Sequence, residues 1–330
     1  MTSPQRTPSL LIVASTARAQ GAFADGPIAN RIRIGARSCL LGVVLGAGLG
    51  CYHLRIDESY WLRSRPGPSV DSARMLASLP DGYSFSRITV PLDDSTQLAG
   101  IVVTREAARA TIVYFGGDDF IVALKGPATL RALTMAPVNV VLVDYPGAGG
   151  SSGHPTLSAT ERAATAAYDW AAAQPELARP GVVVYGHSLG SFMAAAVADV
   201  RPVRGLVLQG SATNPTDWAH HMFRPANLKW WARLAYPFIR ISIAPELARQ
   251  DNAARLRRYR GPLLILSGTA DKVAAPAMSR ALADASATPD SLRSLVFLPG
   301  AGHEDVFEHP GFAPAYRAFI ATVSAQRTSP

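Results

Sequence analysis

The chain of 330 residues predicts an α/β fold, in which helices cover both faces of a mostly parallel sheet of about eight strands. Short, uninterrupted runs of Val, Ile and Leu, such as residues 140–143 and 263–266, are typical of strands that are buried on both faces. Ala-rich stretches of helical length separate these runs, as in βαβ units. Hydrophobic residues make up 48% of the chain and charged residues 17%, a composition that excludes intrinsic disorder.

The predicted elements follow one another in a regular order. Strands are predicted at residues 83–92, 97–105, 110–117, 138–146, 181–188, 204–211, 262–268 and 294–298. Helices are predicted at residues 158–174, 189–200, 275–285 and 312–325. The first two strands are joined by Pro91-Leu92-Asp93-Asp94-Ser95-Thr96, a connection of hairpin length that is rich in turn residues. We therefore expect the sheet to begin with an antiparallel pair.

The net charge of +8 is concentrated in two places. Residues 1–50 hold five arginines against one aspartate, and residues 214–261 hold nine basic side chains against three acidic ones. Neither cluster is a run of Lys and Arg interleaved with aromatic residues that could stack on bases. The sequence therefore predicts no nucleic-acid partner, and the basic clusters point instead toward an anionic membrane surface.

An apolar segment at residues 38–52 follows the first basic cluster and contains no charged residue. It is shorter than the roughly 20 residues of a comfortable transmembrane helix, and it fits the core of a signal peptide or an uncleaved anchor. Its end, Leu49-Gly50-Cys51, resembles the lipobox of bacterial lipoproteins, which would make Cys51 the acylated residue. We therefore expect a protein that is exported or membrane-anchored in a bacterium, rather than a cytoplasmic one.

The same features suggest a domain organisation. We expect a leader with the export or anchor segment at residues 1–52, a linker at 53–82, and an α/β domain at 83–326 with an insert at about 212–260. Cys39 and Cys51 are the only cysteines, so disulfides do not build the fold. No CxxC or HExxH pattern occurs in the chain, and the sequence predicts neither a metal site nor a cofactor.

A strand followed by Gly186-His187-Ser188-Leu189-Gly190 carries the strongest chemical signal. This G-x-S-x-G pattern between a buried strand and a helix is typical of a nucleophile elbow, a sharp turn that exposes the serine hydroxyl. The glycines allow the strand and the helix to approach each other closely. Ser188 is therefore the candidate nucleophile, and His187 is expected to be a packing or hydrogen-bonding neighbour.

A serine hydroxyl needs a base to accept its proton and a carboxylate to orient that base. Asp271 follows the strand predicted at 262–268, and His303 follows the strand predicted at 294–298. Both residues come after the nucleophile, in the order serine, acid, histidine that this architecture uses. The carboxyl ends of parallel strands share one edge of the sheet, so Asp271 and His303 are the candidate acid and base.

The oxyanion that forms on the attacked carbonyl needs backbone N–H groups directed at it. One candidate donor is Leu189, the residue after the nucleophile. The second is expected in the loop Gly116-Gly117-Asp118-Asp119, with Asp118 as first choice and Gly117 as second. The acidic side chain of Asp118 would have to point away from the oxyanion.

Together these residues resemble the α/β-hydrolase superfamily over residues 83–325. The segment Asp144-Tyr145-Pro146-Gly147-Ala148-Gly149-Gly150-Ser151-Ser152-Gly153 is similar to a loop of the group that contains monoacylglycerol-lipase-like, depalmitoylase-like and bud-emergence-type serine hydrolases. Members of that group usually carry His-Gly-Asn where this chain has Gly116-Gly117-Asp118. The resemblance implies an α/β-hydrolase fold and an acyl-ester hydrolase that works without a cofactor.

The insert at 212–260 combines aromatic residues with the second basic cluster. It is expected to be a helical cap, whose aromatics either pack on the sheet or form a lid for an acyl chain. In the lid alternative, Arg255, Arg257, Arg258 and Arg260 would face anionic lipid headgroups.

Two classes of function remain open at this point. The first is a membrane-associated serine hydrolase of lipid-like acyl esters or thioesters, with an amidase or peptidase as the variant that the same residues allow. The second is a non-catalytic, membrane-anchored binding protein that has kept the fold. The sequence carries no signal for the oligomeric state.

Overall fold

The computed structural model describes residues 52–230, 233 and 236–326. Residues 1–51 of the predicted leader, including Cys51, lie outside the described residues. Within the part of the chain that is described, no helix has the length and apolar character needed to cross a membrane.

An eight-stranded sheet forms the centre of the protein. Its strands are β3 (Tyr83–Pro91), β4 (Gln97–Arg105), β5 (Thr111–Phe115), β6 (Asn139–Val143), β8 (Val182–His187), β9 (Gly205–Gln209), β11 (Leu263–Gly268) and β12 (Arg293–Leu298). They lie in the order β12-β11-β9-β8-β5-β6-β4-β3. The pairs β3–β4 and β4–β6 are antiparallel, and all other pairs are parallel. The predicted mostly parallel sheet with an antiparallel start is therefore confirmed.

The helices have the following bounds. They are α1 (Ser72–Leu76), α2 (Val122–Leu133), α3 (Leu157–Ala173), α4 (Pro175–Ala178), α5 (Leu189–Val200), α6 (Pro215–Phe223), α7 (Pro245–Ala248), α8 (Asn252–Leu256), α9 (Pro276–Ala285) and α10 (Phe312–Ala325). Further 3-10 turns lie at Glu58–Tyr60, Pro225–Asn227, Tyr236–Phe238, Asp290–Leu292 and Asp305–Glu308. Two pairs of short strands stand outside the main sheet: β1 (Tyr52–Ile56) with β10 (Ile239–Ile243), and β2 (Arg65–Pro66) with β7 (Ala148–Gly149).

The central strands form because every residue of β5, β6, β8, β9 and β11 is buried. Runs of β-branched and aliphatic residues can bury both faces of a strand, and burial of each such side chain contributes roughly 1.5–3 kcal/mol. Helices supply the covering layers. Four of them, α3, α5, α8 and α9, contact one another in a chain, whereas α2 and α10 both contact the 3-10 turn at Asp305–Glu308. The helices thus form two groups, one on each face of the sheet, as predicted.

The segment at 53–82 is more than the expected linker. It contains β2 and α1, and Met75 of α1 is fully buried in the hydrophobic core. The described residues group into two compact units. The larger comprises residues 55–224 and 241–326 and thus begins well before β3, whereas the smaller comprises residues 52–54 and the described residues between 225 and 240.

The described part of the insert is mainly helical, as expected, but its helices are short and it also contains a strand. Its described residues contain one helix of nine residues, α6, two helices of four and five residues, α7 and α8, and the strand β10. Pro225, Pro237 and Pro245 interrupt the segment, and each proline removes a backbone donor that a longer helix would need.

Candidate active site

Ser188 lies in the turn between β8 and α5, in a backbone conformation that is rare for a residue with a side chain. Its φ is +54° and its ψ is −119°, a conformation that costs of order 1–3 kcal/mol and persists only where the surroundings enforce it. The flanking glycines leave no space for side chains. A Cβ at Gly186 would lie 2.3 Å from the carbonyl oxygen of Gly190, and one at Gly190 would lie 2.0 Å from that of Phe115. The strand and the helix therefore enforce the turn that the G-x-S-x-G pattern predicts.

The structure brings the three candidate catalytic side chains together. His303 Nε2 lies 2.9 Å from Ser188 Oγ, and His303 Nδ1 lies 2.8 Å from Asp271 Oδ2. The second carboxylate oxygen of Asp271 accepts hydrogen bonds from the N–H groups of Val273 and Ala274, each at 2.8 Å. Asp271 is thus held by its own loop and presents one oxygen to the imidazole.

The environment of His303 sets its charge state and its tautomer. Burial lowers the pKa of His303, but the hydrogen bond and negative charge of Asp271, with Glu304 and Asp118 further away, outweigh it and raise the pKa above its usual value. Because Nδ1–H of His303 donates a hydrogen bond to Asp271, the neutral ring leaves Nε2 free to accept the hydrogen bond, and then the proton, of Ser188. This is the arrangement of a general base next to a hydroxyl nucleophile.

The candidate oxyanion donors lie on either side of Ser188. Leu189 is the first residue of α5, so its N–H is one of the groups that have no acceptor within the helix. A Cβ at Gly117 would lie 3.5 Å from Ser188 Cβ, so the loop after β5 passes directly beside the nucleophile. The carboxylate of Asp118 lies 3.9 Å from the guanidinium of Arg65. Burial and the charge of Asp119 raise the pKa of Asp118, and the positive charges of Arg65 and Lys125 offset part of this rise.

His187 is buried and lies beside His303, with 5.1 Å between the ring centres. Its Nε2 is 3.2 Å from the carbonyl oxygen of His303 and donates to it. Burial, together with the nearby His303, lowers the pKa of His187 to about 4, so this ring is neutral near pH 7. It acts as the hydrogen-bonding neighbour that the sequence predicts.

His187, His303 and Glu304 also form a possible metal-ligand set among the described residues, with one ligand atom from each within 4.8 Å of the others. Both ring nitrogens of His303 are already hydrogen-bonded. A metal ion bound by this set would have to take one of these nitrogens from Ser188 or Asp271.

Lys125 is a residue of the site that no sequence motif indicates. Its Nζ lies 2.6 Å from Asp119 Oδ1 and 3.5 Å from Glu304 Oε2. Lys125 belongs to α2, Asp119 to the loop after β5, and Glu304 follows His303 directly. The ammonium group therefore joins the loop beside the nucleophile to the loop that carries the candidate base.

Two of the arginines expected to face lipid headgroups form ion pairs within the protein. Arg255 lies 3.1 Å from Glu161, and its side chain is only 13% exposed. Arg258 lies 2.7 Å from Asp199 in a second ion pair. Two of the four guanidinium groups are thus bound by acidic side chains of α3 and α5, and the arrangement gives the predicted membrane surface no support.

The aromatic residues of the insert divide into two sets: Trp218 and Phe223 are buried, and Trp218 packs on the segment before β2, whereas Trp230 and Phe238 are exposed. Trp218 of α6 is 5% exposed, and its ring centre lies 4.8 Å from that of Trp61, 5.6 Å from that of Tyr60 and 6.4 Å from that of Phe223. Such edge-to-face pairs contribute about 0.5–1.5 kcal/mol each beyond their burial. These contacts favour the interpretation of the insert as a packed cap.

The eight-stranded sheet, the strained serine turn and the loops that follow β11 and β12 define an α/β-hydrolase. The chain belongs to the alpha/beta hydrolase family, whose family model matches residues 114–313. Membership of this family supports hydrolase activity.

Two curated relatives and two solved structures illustrate the likeness. An uncharacterized protein of Mycobacterium tuberculosis, Rv2307c, is 28% identical over 241 residues, which cover 68% of this chain and 79% of the relative. Human protein ABHD12B is 26% identical over 237 residues, which cover 62% and 61%. The Pyrococcus furiosus esterase Pf2001 has a TM-score of 0.59 at 14% identity, with coverage of 80% and 98%. The Pyrobaculum calidifontis esterase has a TM-score of 0.56 at 17% identity, with coverage of 78% and 90%. At these identities the solved structures show the fold alone.

Proposed function

We propose that the protein is a serine hydrolase that cleaves carboxylic esters or thioesters through an acyl-enzyme intermediate. The observation that carries the proposal is the continuous hydrogen-bonded relay from Ser188 Oγ through His303 to Asp271, with distances of 2.9 and 2.8 Å. A hydroxyl nucleophile, a base and a carboxylate at such distances form the minimal apparatus for acyl transfer.

In the proposed reaction, Ser188 Oγ attacks the carbonyl carbon of the ester while its proton moves to His303 Nε2. Asp271 stabilises the imidazolium that forms and keeps Nε2 directed at the nucleophile. When the tetrahedral intermediate collapses, His303 returns the proton to the departing alkoxide or thiolate, and the acyl group stays on Ser188. A water molecule then gives a proton to His303 and attacks the acyl carbon. As this second tetrahedral intermediate collapses, His303 returns the proton to Ser188 Oγ, and the carboxylic acid leaves.

The proposal assigns stabilisation of the tetrahedral oxyanion to the backbone N–H of Leu189 and to the loop after β5. The N–H of Leu189 lies at the N-terminal end of α5, where the helix dipole favours a negative charge. Asp118 stays the first candidate in the loop and Gly117 the second. One such donor is typically worth 10²–10³-fold in kcat, or about 2.7–4 kcal/mol.

The charges around the site favour neutral substrates. Three carboxylates, those of Asp118, Asp119 and Glu304, lie near the relay in addition to the buried Asp271, and they pair with two cations, Arg65 and Lys125. A substrate with a carboxylate close to its scissile bond would be repelled. We therefore propose neutral, lipid-like acyl esters as the substrate class, and the same repulsion would speed release of the carboxylic acid product.

The test uses a fluorophosphonate probe and graded p-nitrophenyl esters and monoacylglycerols on the purified protein. Labelling and turnover in the wild type, lost in Ser188→Ala and kept in Ser158→Ala, would support the proposal. Ser158 is an exposed serine on α3, so its variant controls for non-specific labelling. A wild type that neither labels nor hydrolyses any ester would favour the non-catalytic binding protein, and faster turnover of matched p-nitroanilides would favour an amidase.

We also propose that residues 38–52 direct export or anchoring of this hydrolase, with Cys51 as the acylated residue. The proposal rests on the apolar composition of that segment and on the basic residues before it.

A further inference from the structure

A short segment that precedes the family-matched region reaches the loop beside the nucleophile. Strand β2 runs parallel to β7, where the N–H of Arg65 donates to the carbonyl of Gly147 at 2.8 Å and the N–H of Gly67 donates to that of Gly149 at 3.0 Å. A Cβ at Gly67 would lie 2.8 Å from the side chain of Ile121 and 3.1 Å from Gly149 Cα. The backbone on both sides of Arg65 is therefore fixed, and it passes close to the end of the loop that follows β5.

From this fixed position, Arg65 binds that loop through a backbone group. Its Nη1 donates to the carbonyl oxygen of Asp118 at 2.7 Å, whereas the nearest approach to the carboxylate of Asp118 is 3.9 Å. The hydrogen bond to the carbonyl is thus the stronger contact. A guanidinium is suited to this role because its planar donors lose little freedom on binding and it keeps its charge at all relevant pH values.

Three successive carbonyl groups of the loop are each bound by a different donor. The carbonyl of Gly116 accepts from Tyr145 Oη at 2.9 Å, that of Gly117 accepts from the N–H of Phe120 at 3.1 Å, and that of Asp118 accepts from Arg65. In a trans peptide the N–H group points opposite to the preceding carbonyl, and the described residues contain no cis peptide. The three donors therefore fix the directions of the N–H groups at residues 117, 118 and 119.

We propose that Arg65 is a positioning residue for oxyanion stabilisation, and that the segment around β2 is for this reason part of the active site. The proposal rests on the proposed serine hydrolase function. Tyr145 and Phe120 both lie within the family-matched range. Arg65 lies outside it, 53 residues before Asp118. The guanidinium directly fixes the peptide after Asp118, whose N–H belongs to Asp119. That peptide shares the Cα of Asp118 with the preceding peptide, which carries the candidate donor N–H of Asp118, so loss of the guanidinium loosens one side of this donor and reduces its preorganisation for the developing charge.

The test compares Arg65→Ala, Arg65→Lys and the control Arg63→Ala in ester hydrolysis. Arg63 belongs to the same segment, but its Nε donates to Ser59 four residues earlier, so its loss leaves the loop untouched. For Arg65→Ala we expect kcat to fall about tenfold or more, less than the loss of a donor itself, while KM changes within about twofold. The kcat of Arg65→Lys should lie between those of the wild type and Arg65→Ala, and the kcat of Arg63→Ala should match that of the wild type.

Two further readouts separate positioning from a merely structural role. The inhibition constant of a trifluoromethyl ketone, which forms a tetrahedral oxyanion on the serine, should rise by the same factor by which kcat falls. Guanidinium chloride, well below denaturing concentrations, should restore part of kcat in Arg65→Ala but not in Arg65→Lys.

Wild-type kcat in Arg65→Ala, an equal loss in Arg63→Ala, or an unchanged inhibition constant would overturn the inference while leaving the serine hydrolase intact. A wild type that fails to label with fluorophosphonate would instead overturn the proposed function and this inference with it. The two failures are therefore distinguishable.

Discussion

Gly210, in the turn after β9, gives a sharp test of the geometry around the candidate base. Its φ is +54°, and a Cβ at this position would lie 3.0 Å from Cε1 and 3.1 Å from Nδ1 of His303. Ordinary contacts of a Cβ begin at 3.4 Å, so the imidazole in Gly210→Ala must give way by about 0.4 Å. The ring has little space to do so, because it is 6% exposed and packs against His187.

The expected loss follows from the sensitivity of catalysis to position. A misplacement of about 1 Å can cost about 10²-fold in rate, so a shift of about 0.4 Å costs, in proportion, roughly sixfold, or about 1 kcal/mol of activation free energy. The backbone strain of alanine at positive φ adds about 1–2 kcal/mol of instability, and the stiffer unfolded chain offsets about 0.4–1 kcal/mol of this.

Gly82→Ala is the matched control, because Gly82 has a φ of +83° and a Cβ added there would meet no atom within 4 Å. Both variants should lose similar stability in urea, and only Gly210→Ala should lose kcat/KM for a p-nitrophenyl ester, after correction for the folded fraction by circular dichroism. Wild-type turnover in Gly210→Ala, or an equal loss in Gly82→Ala, would refute the reasoning.

Three other predictions concern titration and targeting. Because His303 must be neutral to act as a base and its pKa is raised above 6.5, kcat/KM should rise with pH through a midpoint above 6.5, and a midpoint below that value would contradict the assigned environment. Burial raises the pKa of Asp144 from 3.8 to about 6, although hydrogen bonds from Val122 and Gly150 oppose this rise. The folded protein therefore holds this proton more tightly than the unfolded chain does. The free energy of unfolding should fall by roughly 3 kcal/mol as the pH rises from below the unfolded-state pKa to above the folded-state pKa. Urea titrations at several pH values should show this loss in the wild type and not in Asp144→Asn. The same dependence of the unfolding free energy on pH in both proteins would exclude it. Cys51→Ser should move the expressed protein from the detergent phase to the aqueous phase if Cys51 is acylated, and unchanged partitioning would contradict lipidation.

The strands of the sheet could be predicted because a strand that is buried on both faces appears in the sequence as an uninterrupted run of Val, Ile and Leu. The run at 138–146 contains β6, and the run at 262–268 contains β11, with ends that differ by a few residues. Helix α2 was missed, since Gly126 and Pro127 lie inside it and both residues disfavour helix interiors. The structure gives the reason for the glycine: a Cβ at Gly126 would lie 3.0 Å from Met75, so α1 packs where a side chain would otherwise be.

The approach of Ser188, Asp271 and His303 could be predicted because each follows a strand of the same sheet, and parallel strands bring such positions to one edge. Their catalytic roles stay predictions until the variants are measured. The contact between Arg65 and Asp118 could not be predicted, since no local pattern relates two residues whose meeting depends on β2 pairing with β7. Composition likewise could not reveal that Arg255 and Arg258 of the basic cluster are bound by Glu161 and Asp199.

The place of β12 at the edge of the sheet has a consequence for the newly made chain. This strand adds to β11 only after most of the chain has been synthesised, and His303 follows it. His303 lies 115 residues after Ser188, so the nucleophile is synthesised well before its candidate base. If the proposed function is right, a nascent chain carries Ser188 without its base and is inert toward esters. Under that proposal, hydrolytic activity would begin only once β12 and the loop after it are in place.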